Sequence, residues 1–247
     1  MKELLRLAWD VLLFKDKAYK EHVARADVLK RGLALLVVAT LMAGTLSFIG
    51  GVSRGLRSVE SQREQAEQDI QEFAAPFQDM QQYLDLPPDF AEIMIATIQA
   101  SIELGFGVAE LSTPLPRPIG GVLTALGAFL SLPFARIAGW VGYTIWVLLA
   151  AKLLGGRATI AQALGATALY AVPHALDILD VVPYLGGLFG LIATVWGIAI
   201  YVKALAVAND FGIGRAVVAA VVPAMVNAAL IAMGLMGLTI LMLTTGG

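Results

Sequence analysis

The chain has 247 residues, 58% of them hydrophobic and 15% charged, and its 17 basic and 19 acidic side chains leave a formal net charge of −2. That apolar fraction exceeds the roughly 45–50% of ordinary globular chains, and the runs are continuous rather than alternating, which excludes both a soluble domain and a β-barrel. With no cysteine, disulfides and thiolate metal sites are excluded as well.

The expected fold class is therefore all-α, a polytopic membrane protein. Residues 1–14 place Leu4, Leu5, Ala8, Val11 and Leu12 on one helical face, the pattern of an interfacial helix. Arg6 and Asp10 interrupt the apolar run, and dense charge follows where a small-residue cleavage site would stand, which argues against a signal peptide. Lys15, Lys17, Lys20, Arg25, Lys30 and Arg31 come next, basic side chains expected to face a lipid surface, each worth about 1 kcal/mol beside an anionic leaflet. The same residues also fit a solvated juxtamembrane helix, so residues 1–31 are read as a cytoplasmic amphipathic basic segment.

Residues 32–51 carry no charge and form the first expected crossing. Eight basic residues precede it, which puts the N-terminus in the cytoplasm and residues 52–118 outside. This insert holds eleven acidic residues against four arginines. Leu56, Val59, Ala66, Ile70, Phe73, Phe77, Met80 and Leu84 trace a narrow apolar seam with Arg63 as a polar intruder, and Pro76 is expected to bend or break that helix. Pro87 and Pro88 predict a turn, and Asp89 with Glu92 has the spacing of a capping box that starts a second helix ending near residue 111. Glu92, Gln99, Glu103 and Glu110 line one stripe of it, which favours a hairpin or an interfacial cover over a crossing. Pro114, Pro116 and Pro118 make a stiff connector.

Residues 119–247 are expected to form a four-helix membrane bundle with a partial or re-entrant helix at 119–132, divided at Pro133 and Arg136 from a crossing over residues 137–154. Further crossings are expected at about 160–176, 184–205 and 216–243, five in all, which leaves the C-terminus outside. Lys152, Arg157, Lys203 and Arg215 then fall inside and Asp177 and Asp180 outside, as the charge rule requires of an inner (plasma) membrane protein. Small residues mark the packing faces: Gly186, Gly190, Ala193 and Gly197 on one helix; Ala161, Gly165, Ala168 and Ala175 on another; Ala216, Ala220, Ala224, Ala228 and Ala232 on the last.

The run Leu154-Gly155-Gly156-Arg157, followed by Gln162, Leu164, Tyr170 and Pro173, then a charge-poor helix with Trp196 and a short turn over residues 210–215, resembles the bacterial branch of the Yip-domain family. Residues 11–14, Tyr19 and Lys30-Arg31 resemble it more loosely. The resemblance implies a cytoplasmic N-terminus, five membrane helices and an outer C-terminus. Eukaryotic relatives bind prenylated Rab GTPases and act in vesicle traffic, with an Asp-Leu-x-Gly-Pro motif before the first helix and Gly-Tyr before a helical proline. This chain lacks the first motif and has Leu169-Tyr170 for the second, so a Rab-binding role does not carry over.

Candidate polar residues are few. His174, Asp177 and Asp180 share one side of a helical end; they read better as a cap and wet loop than as a metal site, which would want a fourth ligand. Asn227 is placed for an interhelical hydrogen bond, and Tyr170 with Pro173 for a kink and its partner. No phosphate loop, nucleophilic triad or metalloprotease signature occurs, so neither an enzyme nor a cofactor is expected, and no nucleic-acid partner. The expected partners are the lipid bilayer and other membrane proteins or a second copy. Two classes of function stand: a non-catalytic membrane organiser or accessory subunit, and a small-molecule or ion transporter or channel.

Overall fold

The computed structural model describes residues 2–57, 60–61, 63–71, 90–110, 116–182 and 185–245. Its two compact units are Met1–Ser47 with Phe129–Gly247, and Phe48–Ala128. All regular structure among the described residues is helical: α1 (Lys2–Leu12), α2 (Asp16–Val23), α3 (Val28–Gly55), α4 (Phe90–Glu110), α5 (Arg117–Leu153), α6 (Ile160–Thr167), two 3-10 segments (Ala168–Ala171 and Pro173–Val181), α7 (Leu185–Asn209) and α8 (Ile213–Thr245).

In the larger unit the N-terminal helices are part of the core rather than a solvated arm. Leu7 and Val11 of α1 and Ala18 and Tyr19 of α2 are buried in one cluster with Leu169 and Ile200, and His22 of α2 is buried as well. The basic side chains sit on the other faces of α2. Leu5 leaves the face expected for it and joins Trp9 and Leu13 in an exposed stripe, because positions four apart stack on a helix. α1 stops at a left-handed residue, Phe14 (φ 53°), where the Phe14 amide donates to the Val11 carbonyl and Lys15 to Asp10, the paired bonds of a Schellman cap. A bulky residue in that region costs about 1–3 kcal/mol and needs outside support. Lys203 Nζ supplies it by donating to the Phe14 carbonyl at 2.7 Å, and the Trp196 ring lies 5.6 Å from that of Phe14.

Three helices are long and apolar enough to cross a membrane, Val28–Gly55, Pro118–Leu153 and Gly186–Asn209, and Ile213–Ala229 is a shorter apolar stretch. Two sequence expectations are corrected. α5 does not divide at Pro133, so residues 119–132 are no separate partial helix; the proline forfeits the one amide that would reach the Phe129 carbonyl, and the turns on both sides keep their own bonds. The crossing expected at 160–176 is not a continuous α-helix. It holds α-geometry only to Thr167 and then tightens into the 3-10 segments, since Pro173 cannot donate to the Leu169 carbonyl, which instead accepts from Val172 at 3.1 Å.

The helices of this unit approach closely where glycine allows it. A Cβ on Gly32 of α3 would lie within clash distance of the Gly165 carbonyl of α6, and one on Gly165 would meet the Val28 backbone at 2.6 Å. α7 occupies the centre, and its last two turns, with Leu205, Ala208 and Asn209, are buried.

In the smaller unit, Gly55 of α3 and Gly121 of α5 pack backbone to backbone, and Arg63 donates to both Glu103 oxygens of α4 at 3.0 and 3.1 Å. The guanidinium also sits 5.1 Å from the Phe106 ring centre, so the polar intruder in the apolar seam ties the helical residues 63–71 to α4. Pro76, Pro87, Pro88 and Asp89, and with them the expected break, turn and capping box, lie outside the described residues; α4 spans the expected second helix.

Replacing Gly32 by alanine is expected to cost about 1–3 kcal/mol through overpacking. Gly142→Ala, where a Cβ meets nothing within 4 Å, should change stability by under about 0.5 kcal/mol; unfolding in mild detergent measures both.

Candidate functional site

The turn between α5 and α6 explains the glycines of the family-like motif. Gly155 is left-handed (φ +86°), its amide donates to Lys152 and that of Gly156 to Ala151, which closes α5 with a Schellman cap. A Cβ on Gly156 would strike the Asn209 side chain. Asn209 is fully buried at the end of α7, donating to the Leu205 carbonyl and accepting from the Ala158 amide, while its own carbonyl accepts from Arg157. Gln162 forms a capping box with Thr159 that starts α6. Arg157 itself is exposed. These residues thus set helix ends, and Asn209, which sequence reasoning passed over, is the group they converge on.

A polar cluster lies between α5, the 3-10 segments and α7. His174 Nδ1 is 2.8 Å from Asp177 Oδ2, and since a carboxylate accepts, Nδ1 carries the hydrogen. Arg136 Nη2 approaches the same oxygen at 3.6 Å. The other carboxylate oxygen, Oδ1, is buried without a partner among the described residues. Tyr170 stacks edge-on against His174 and Tyr201, at 5.8 and 6.2 Å. Gly197 lets α7 come this near, because a Cβ there would lie 3.0 Å from the Tyr170 carbonyl and 3.3 Å from His174 Nε2. Below the cluster, Thr144 bridges Thr167 and Tyr201, Trp140 donates to Thr167, and Tyr143 donates to the Ala220 carbonyl at 2.6 Å. A cavity of about 480 Å³ opens here, lined by Arg136, Tyr143, Tyr170, His174, Thr194 and Tyr201 among others.

The structure therefore gathers Tyr170, His174 and Asp177 with Arg136, and separates two other candidates from them. Asp180 is exposed; its backbone packs on Gly186 and its carboxylate faces Gly190. Asn227 is exposed on α8 and makes no hydrogen bond to a described residue, so the interhelical bond expected for it is absent within the described chain. Pro173 is buried at the start of the second 3-10 segment. Of the small residues on α8, Ala216 and Ala220 are buried, whereas Ala224 and Ala228 are exposed. No group of three His, Asp or Glu able to hold a metal ion occurs among the described residues.

The basic segment is more constrained than its composition implies. Lys15 pairs with Asp10 at 2.6 Å, Lys17 with Glu21 at 3.7 Å, Arg25 with Asp27 at 2.9 Å and Arg31 with Glu3 at 3.2 Å; Lys20 and Lys30 are exposed. Lys203 also bridges to Asp16 and lies over the Phe14 and Tyr19 rings, and its hydrogen bond holds the Asp16 carboxyl below the usual carboxylate range. His22 is 1% exposed, and its Nε2 donates to the Gly165 carbonyl at 3.0 Å. Burial holds the imidazole below its ordinary value, opposed by that bond.

With an all-helical bundle and apolar helices of crossing length, this is an integral membrane protein. The family model of the Yip1 domain matches residues 9–236, and the chain belongs to that family. No curated protein and no solved structure matches it.

Asp177→Asn should destabilise the folded bundle by about 1–3 kcal/mol, because Arg136 is left partly buried without its counter-charge. The double variant with Arg136→Gln should cost less than the two single losses together; chemical unfolding of all four forms in detergent measures this.

Proposed function

We propose that this protein is a non-catalytic membrane organiser or accessory subunit that binds partner membrane proteins, or a second copy of itself, through the outer face of α8. The observation that carries the reading is the exposed Ala224-Asn227-Ala228 surface. In hydrocarbon an amide with no partner is unfavourable, and small residues beside it permit the close helix approach that would satisfy it. The sequence carries no nucleophilic triad and no metalloprotease signature, which fits a role without chemistry. The proposed placement is the inner membrane, with α1 and α2 cytoplasmic and the acidic insert of residues 52–118 and the C-terminus outside.

A small-molecule or ion transporter is the second reading, favoured by the polar cavity beside Arg136 and His174. It requires flux in proteoliposomes that Arg136→Gln abolishes, whereas the organiser reading requires none.

The chain has no cysteine, so single introduced thiols report cleanly. Ala228→Cys should cross-link to a helix partner in native membranes, and adding Asn227→Leu should reduce the yield several-fold; an unchanged yield would remove α8 as the binding face. For placement, a membrane-impermeant maleimide should label Ser61→Cys in intact cells but Lys17→Cys only after permeabilisation.

A further inference from the structure

The cavity between α1, α2 and the start of α3 holds about 810 Å³ and is lined by five cations and three carboxylates. Asp27 pairs with Arg25 from outside the lining, which still leaves one positive charge in excess. Two of the lining residues have buried polar atoms with no partner among the described residues, His22 Nδ1 and Arg31 Nε. Buried polar atoms are normally hydrogen-bonded, and these two have opposite needs. A carbonyl can only accept, so the bond from His22 Nε2 to Gly165 places the hydrogen on Nε2 and leaves Nδ1 an acceptor in want of a donor. Arg31 Nε is a donor in want of an acceptor. Arg31 also pairs through Nη1 with Glu3, whose side chain is 78% exposed and free to swing away.

A group that carries an anionic oxygen beside a hydroxyl meets both needs at once. The phosphate and glycerol hydroxyls of a phosphatidylglycerol-type head group are such a pair, and so is free glycerol phosphate. The lipid source is favoured by place: Arg31 stands four residues into α3, the first apolar helix, and Leu5, Trp9 and Leu13 present an exposed apolar stripe on the adjoining α1. We infer that this cavity is a head-group site for an anionic, hydroxylated phospholipid, with Arg31 on the phosphate and His22 accepting from a head-group hydroxyl. The inference rests on α1 lying at the membrane interface and is independent of the partner face on α8.

Native mass spectrometry of the full chain, released from detergent with phosphatidylglycerol, phosphatidate or phosphatidylcholine added, tests it. Phosphatidylglycerol should be retained about tenfold over phosphatidylcholine and several-fold over phosphatidate, which lacks the hydroxyls. Arg31→Gln should erase the preference for anionic lipid. Glu3→Gln, a surface change that leaves the core alone, should raise phosphatidylglycerol retention a few-fold by freeing Arg31. Equal retention of all three lipids by the natural chain and by Glu3→Gln overturns the site. Arg31-dependent binding of soluble glycerol phosphate without lipid preference overturns the lipid assignment and makes a free phosphate the ligand. Since the cross-linking at position 228 has a separate readout, the organiser reading and the head-group site fail independently.

Discussion

Lipid tails are as apolar as leucine, so helices within a bilayer gain little from mere hydrophobic exclusion and are held by close contact and buried hydrogen bonds. The approach of α3 to α6 at Gly32 and Gly165 is the contact on which much else depends. It brings the Gly165 carbonyl to the surface of α2, where His22 takes it, and so fixes the N-terminal layer on the bundle. Lys203, which donates to the Phe14 carbonyl, completes that attachment, while Tyr19, which donates to the Val11 carbonyl, ties α2 to α1 within the layer. A larger side chain at either glycine would part the helices and strand several polar atoms together.

Helix ends are governed by equally local chemistry. Phe14, Gly155 and Asp210 each adopt a left-handed backbone just after a helix, and each is followed by an amide that reaches five residues back. Gly155 does this without strain. Phe14 and Asp210 do not have that freedom, and both sit where the surrounding structure over-determines them: the carbonyl of Phe14 is held by Lys203, and Asp210 follows the buried Asn209. The stop at Phe14 turns the chain from α1 into α2, which packs on α7, and the other two leave α5 and α6 meeting at Asn209.

The two polar regions of the larger unit differ in their balance of charge. Around Asp177, Arg136 and His174 share one carboxylate oxygen, so charge is largely neutralised within the protein, which suits a structural lock as well as a substrate path. Both regions keep a buried polar atom without a partner among the described residues, but only around Arg31 and His22 does a positive excess persist beside it.

By itself the sequence determined the solvent, the class and the family. Charge is so sparse beyond residue 119 that only lipid could surround it, and Gly155, Gly156 and Gln162 carry a turn chemistry whose partners lie within a few residues. The bounds of α4 and the amphipathic character of α1 were legible for the same reason, since both follow from spacing along one helix. Only the tertiary structure decided how the prolines would act, for Pro133 is absorbed in a continuous helix while Pro173 opens a 3-10 segment, with the Leu169 carbonyl taken by Val172. The pairings of Arg136 with Asp177, His22 with Gly165 and Lys203 with Phe14 were likewise beyond sequence reading. The last two span 143 and 189 residues, and no local periodicity carries information over that distance; it arises only when packed helices bring the groups together.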